Sequence, residues 1–145
     1  MKKLLMGALG VALLGACAPT SQMSFAVSKQ EGMMTELNAT GTVTRAMRFD
    51  GFTNSSATVA GLRPNTFYVS HYHVQGDANK PPCLSGGAPI VSTTMVGRTD
   101  ATGNLVLSGS HATSEVEKGT YFNIHTARDA SGTPADGGVT CANLR

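Results

Sequence analysis

The chain has 145 residues, a length that suits one domain. Only 14% of its residues are charged, against about 25% in an ordinary globular domain; 17 are Gly and none is Trp. The formal net charge is +2, and Lys2 and Lys3 account for that surplus: taking them from the 11 basic side chains leaves nine, equal to the nine acidic ones. A balanced chain lacks the basic stripe of a nucleic-acid binder, and the composition fits a turn-rich β domain better than a helix bundle.

Lys2 and Lys3 precede an apolar run from Leu4 to Ala16, followed by Cys17. The run is 13 residues long, short of the roughly 20 that span a bilayer as a helix. A basic start, a short apolar stretch and small residues at its end read as a secretory signal over residues 1–16. The ending Leu14-Gly15-Ala16-Cys17 resembles the bacterial lipobox. That resemblance implies a lipid on Cys17 and an exported, membrane-anchored lipoprotein of a bacterial cell envelope. Residues 17–33 show no clear period and read as a tether, with the domain over residues 34–145.

Within the domain, strand candidates alternate with turn signals. Met34 to Thr40 alternates loosely; Val43 to Phe49 ends at Asp50-Gly51, a strong turn pair. Ala57 to Ala60 stops at Gly61, and Thr66 to Val74 is the best strand, rich in aromatic and β-branched residues. Asp77 to Pro89 reads as a loop. Ile90 to Arg98 and Asn104 to Ser110 follow as strands, separated by an Asp-Ala-Thr-Gly turn. Ala112 to Gly119 is a polar connection, Thr120 to Thr126 another strand, and Val139 to Leu144 the last. Seven or eight short antiparallel strands predict an all-β Greek-key barrel or sandwich.

With Cys17 assigned to the lipid, Cys83 and Cys141 form an even pair in an exported protein, where disulfides persist. The pair predicts a bridge between the long middle loop and the last strand; two separate buried thiols are the alternative. His71 and His73 are two apart on the best strand, so both imidazoles point to one face. Imidazole suits copper and zinc. His125 lies on another strand and would complete three nitrogens if that strand is a neighbour. On spacing alone, hydrogen-bonded structural histidines are an equally good reading. His111 is weighed as a fourth ligand, with a partly exposed loop histidine the plainer reading. Met33, Met34, Met47 and Met95 are scattered and read as packing rather than thioether ligands.

The order of these features resembles the copper/zinc superoxide dismutase family. The resemblance runs from about Met34 to Leu144 and rests on Gly61-Leu62, then His71-x-His73, Gly76-Asp77 and Cys83, then His125 and Cys141. It implies an eight-stranded Greek-key barrel, a Cys83–Cys141 disulfide, and one copper ion on His71, His73 and His125, with superoxide as substrate and no catalytic residue beyond the metal ligands. Two positions depart from the family. Pro89 stands where its metal-bridging His would be, and Gly138 where its anion-guiding Arg would be. The other zinc ligands have no counterpart, so zinc is not expected. Arg128 is a candidate for the missing cation.

A second resemblance is to chordin-type domains, through Tyr121-Phe122-Asn123-Ile124-His125-Thr126. It implies a related fold without turnover. The sequence-level expectation is therefore a lipid-anchored, copper-only dismutase-like protein, with a non-enzymatic copper-binding or structural envelope domain as the alternative.

Overall fold

A computed structural model describes residues 21–32 and 37–145. The expected signal, Cys17 and the segment 33–36 lie outside the described residues. Eight strands form: β1 (Gln22–Lys29), β2 (Thr40–Met47), β3 (Phe52–Ala60), β4 (Phe67–His73), β5 (Pro89–Arg98), β6 (Leu105–Ala112), β7 (Tyr121–Thr126) and β8 (Thr140–Asn143). A 3-10 turn covers Pro82–Leu84, and the one short helix described, α1, covers Thr113–Val116.

All neighbouring strands are antiparallel, in the order β5-β4-β7-β8-β1-β2-β3-β6. The expected all-β barrel is thus observed, as one nearly closed sheet of two four-stranded halves. One seam is narrow: β8 pairs with β1 only through Ser28↔Cys141 and Lys29↔Thr140. At the other seam β5 packs over β6, so closely that a Cβ on Gly97 would lie 2.7 Å from Leu107 Cδ2.

One sequence expectation needs correction. Gln22–Lys29, assigned to the tether, is β1, and it joins the two halves of the barrel. Its physical signal is a period of two: Met23, Phe25 and Val27 alternate with Gln22, Ser24 and Ser28. Conversely, Leu37, Asn38 and Ala39, placed in a first strand beginning at Met34, are not strand; β2 starts at Thr40. The polar connection after β6 contains the single turn of α1.

The core fills the barrel. Val43 of β2, Ala57 and Val59 of β3, and Leu105 and Leu107 of β6 meet Tyr68, Tyr72, Phe122 and Ile124 from the opposite half, all at 1% exposure or less. Burying each large apolar side chain stabilises by about 1.5–3 kcal/mol. Tyr72 and Phe122 pack edge to face with centroids 5.2 Å apart. The Tyr72 hydroxyl crosses the barrel to the Ser55 hydroxyl at 2.9 Å, so a buried polar tip is satisfied while tying the halves together.

β4 and β7 pair from Tyr68↔Thr126 to His73↔Tyr121. Their even-numbered residues Tyr68, Tyr72, Phe122 and Ile124 point into the core, so His71, His73, Tyr121, Asn123 and His125 lie on the outer face. That face is also buried, because two loops cover it: residues 74–88 and residues 127–139. Gly132 of the second loop rests on Val69 and Val96.

Candidate metal centre

The outer face of β4 and β7 brings His71, His73 and His125 together. Each offers one ring nitrogen, and the three nitrogens all lie within 4.8 Å of one another. The ring centroids are 6.0 Å apart for His71–His73, and 5.7 Å for both His71–His125 and His73–His125. All three histidines are buried, at 7%, 6% and 7% exposure. The strand register accounts for the convergence: His125 faces Val69 across the ladder, beside His71 on the same face. The pairing of β4 with β5 is irregular between Ser70 and Tyr72, which leaves His71 opposite a break in the ladder.

The loops decide which nitrogen points inward. His73 Nδ1–H donates to the Gly87 carbonyl at 2.9 Å, and His125 Nδ1–H donates to the Asp136 carbonyl at 3.1 Å. A carbonyl only accepts, so each neutral ring carries its proton on Nδ1 and keeps a lone pair on Nε2. Those Nε2 atoms, together with His71 Nδ1, are buried and without a hydrogen-bond partner. Three adjacent orphaned imidazole nitrogens, aimed at one point, are what a metal ion satisfies and what a purely structural cluster leaves as a penalty. Carbonyl partners behind the ligating histidines are the usual arrangement for fixing ring orientation.

The electrostatics agree. Burial lowers the His71 pKa from its ordinary 6.5 to about 4, with the neighbouring His125 and His73 charges adding to the effect. Burial also lowers that of His73, against the opposing effect of its hydrogen bond to the Gly87 carbonyl and with the His125 charge adding. Neutral imidazole is the form that binds metal. The nearest carboxylate recorded is Asp136, 3.9 Å from His125 Nδ1 on the side away from the cluster nitrogens. The donor set is therefore three nitrogens and no oxygen, which suits a borderline transition ion and not magnesium or calcium.

Gly87 positions His73. A Cβ on Gly87 would lie 1.7 Å from the Val74 carbonyl oxygen, so only glycine permits this approach of loop to strand. Its carbonyl accepts both His73 Nδ1–H and the Tyr121 hydroxyl, the latter at 3.0 Å. Tyr121 stacks on His73 with centroids 4.7 Å apart. The same loop is anchored by the Cys83–Cys141 disulfide, whose Cα atoms are 6.0 Å apart. Gln30 Nε2 donates to the Cys83 carbonyl at 2.6 Å, and Cys83 N–H donates to Asn143 Oδ1 at 3.2 Å. The predicted bridge thus holds the loop that orients a candidate ligand.

Among the described residues His111 is not part of the cluster. It lies on the inward side of β6, 9% exposed, with Nδ1–H donating to the Ser92 carbonyl at 3.2 Å. It is a buried strand residue, not the partly exposed loop histidine that its sequence context suggests. Met95 belongs to the apolar core, in line with its reading as packing. The roles of Gly87, Asp136 and Tyr121 were not apparent from sequence. Two of them act through backbone carbonyls, which no side-chain pattern announces.

The chain matches no family model and no curated protein sequence. The three-histidine group could hold a metal ion.

Proposed function

We propose that the protein binds one copper ion through His71 Nδ1, His73 Nε2 and His125 Nε2, in a domain held at a bacterial cell envelope by a lipid on Cys17. The observation that carries this reading is the convergence of three buried imidazole nitrogens without partners. Imidazole binds several late transition metals, and copper(II) stands highest among them in affinity. The dismutase-like order of His71-x-His73, Cys83, His125 and Cys141 supports copper over zinc. Lys2, Lys3, the short apolar run and Leu14-Gly15-Ala16-Cys17 support export and anchoring.

Copper supplies a one-electron couple, by which one superoxide is oxidised to dioxygen and another, with two protons, is reduced to hydrogen peroxide. The chain's own part is to keep three imidazoles neutral and oriented through Gly87 and Asp136.

A non-enzymatic copper-binding or structural envelope domain is the second reading, and two positions favour it. Gly138 has φ +113°, and a Cβ there would lie 2.4 Å from the Asn123 amide, so no long cation reaches out from this position. Pro89 offers no ligating side chain. Arg128 is exposed. Metal analysis of the purified protein after exposure to equimolar copper and zinc tests the metal, and a superoxide assay on the copper-loaded form tests turnover. One copper per chain with turnover supports the enzyme. Copper without turnover selects the copper-binding form of the second reading, and no bound copper overturns the copper site and leaves only the structural form. A Cys17→Ser variant that still takes up a fatty-acid label would overturn the anchor.

A further inference from the structure

A second polar anomaly lies inside the barrel, at the end where β1 begins. Arg45 sits on the inward side of β2, between Val43 and Met47. Its guanidinium carbon is 4.7 Å from the Phe25 ring centroid and 5.9 Å from that of Tyr72. The residue is 7% exposed, and its Nε is buried with no hydrogen-bond partner. Among the described residues it makes no ion pair. The two rings attract the cation but accept no conventional N–H hydrogen bond in its plane. A buried N–H donor left unsatisfied is unfavourable, and a ligand that accepts from this guanidinium relieves the cost.

The space for a partner is present. A cavity of about 140 Å³ opens beside the guanidinium, lined chiefly by Met23, Arg45, Met47, Val116, Glu117 and Arg145. Arg145 stands at its rim, its Nη2 donating to the Glu117 carbonyl at 3.0 Å. The lining thus brings the guanidiniums of Arg45 and Arg145 together beside the Glu117 side chain. Cavities of about this volume accept a benzene-sized molecule. The remaining walls are the thioethers of Met23 and Met47, the aliphatic Val116, Thr53 and Gly119.

We propose that this cavity binds a small organic monocarboxylate with a compact apolar body. The carboxylate meets the planar guanidinium of Arg45 with support from Arg145, a geometry that guanidinium matches better than ammonium does. The body lies against Met23, Met47 and Val116. The Glu117 carboxylate at the rim disfavours dianions, so inorganic phosphate is a poor ligand. The site is independent of the copper reading, since Tyr72 separates it from His71 and His73 on the other face of β4.

The test is calorimetric titration of the purified full chain with benzoate, benzyl alcohol and inorganic phosphate as probes. Benzoate binds with a dissociation constant below about 1 mM, and benzyl alcohol and phosphate bind at least about tenfold more weakly. Arg45→Met keeps the side-chain volume and loses that preference for benzoate. Should this variant fail to fold, Arg145→Ala at the rim still weakens benzoate several-fold. His73→Ala leaves benzoate affinity unchanged, so failure here is distinguishable from failure of the metal site. Absence of saturable benzoate binding, or affinity unaltered in a folded Arg45→Met or in Arg145→Ala, overturns the proposal.

Discussion

Strands β4 and β7 are buried on both faces almost throughout, whereas β3 and β6 alternate between buried and exposed residues. On β3 and β6 polar side chains meet water: Asn54, Thr58, Ser108 and Ser110 point outward, and even Val106 is 68% exposed. On β4 and β7 the outward residues His71, His73, Tyr121, Asn123 and His125 lie under loops. A polar nitrogen without a partner has little consequence on the first surface and a large one on the second. The covered face is where the orphaned nitrogens of three histidines come together, and the bare face holds no such group among the described residues.

The sharpest way to break this comparison is to remove a cluster histidine. His73→Ala or His125→Ala should weaken copper binding by more than about a hundredfold, measured by competitive titration with a chelator. Unchanged affinity would reduce the covered face to ordinary structure. Removing the bridge by paired Cys83→Ser and Cys141→Ser should destabilise the fold by about 2–4 kcal/mol in chemical denaturation. It should also weaken copper binding, because the loop carrying Gly87 loses its anchor. Loss of stability with full copper affinity would show that the loop does not position His73.

The sequence displayed this contrast in part. Ala57 to Ala60 reads as a strand, but β3 begins at Phe52: Thr53 and Ser55 are buried on the same face as Ala57 and Val59 and, being polar, give no apolar alternation. Thr66 to Val74 reads as the best strand from its aromatic and β-branched residues, but that reading did not include the covering of both its faces. The shared face of the two histidines followed from the period of two alone. That β4 neighbours β7 did not: their pairing joins residues about 50 apart in sequence, and no local pattern encodes it. β1 was missed because Ser, Gln and Lys make up half of it and Ala26 blurs the Met23, Phe25, Val27 repeat. Arg45 was also illegible, since nothing in Thr44-Arg45-Ala46 says that this cation is turned inward.

A pH titration sharpens the comparison without mutation. Above pH 6.5 His71 is neutral both folded and unfolded. Between 6.5 and about 4 the unfolded chain takes up a proton there that the folded metal-free protein does not. Stability should accordingly fall by about 3 kcal/mol as the pH drops through that window and lose nothing further from this group below it. Thermal unfolding of metal-free protein at a series of pH values measures this. Replacing His71 by Asn should flatten that slope, and an unaltered slope would place its origin elsewhere.

The smallest effects belong outside the covered face. Val106→Thr should change stability by less than about 0.5 kcal/mol. His111→Ala should leave copper affinity unchanged, although its ring is as buried as the cluster histidines and its Nε2 is equally without a partner. A lost copper site in the His111 variant would mean that burial without convergence suffices.

The central claim is that three imidazoles of this chain hold one metal ion. Pulsed electron paramagnetic resonance of the copper(II)-loaded protein counts the coordinated imidazoles directly. Nitrogen couplings from three imidazoles, lost when His71, His73 and His125 are replaced together, are the expected result. Couplings from fewer than three, or the same spectrum from the triple variant, would contradict it.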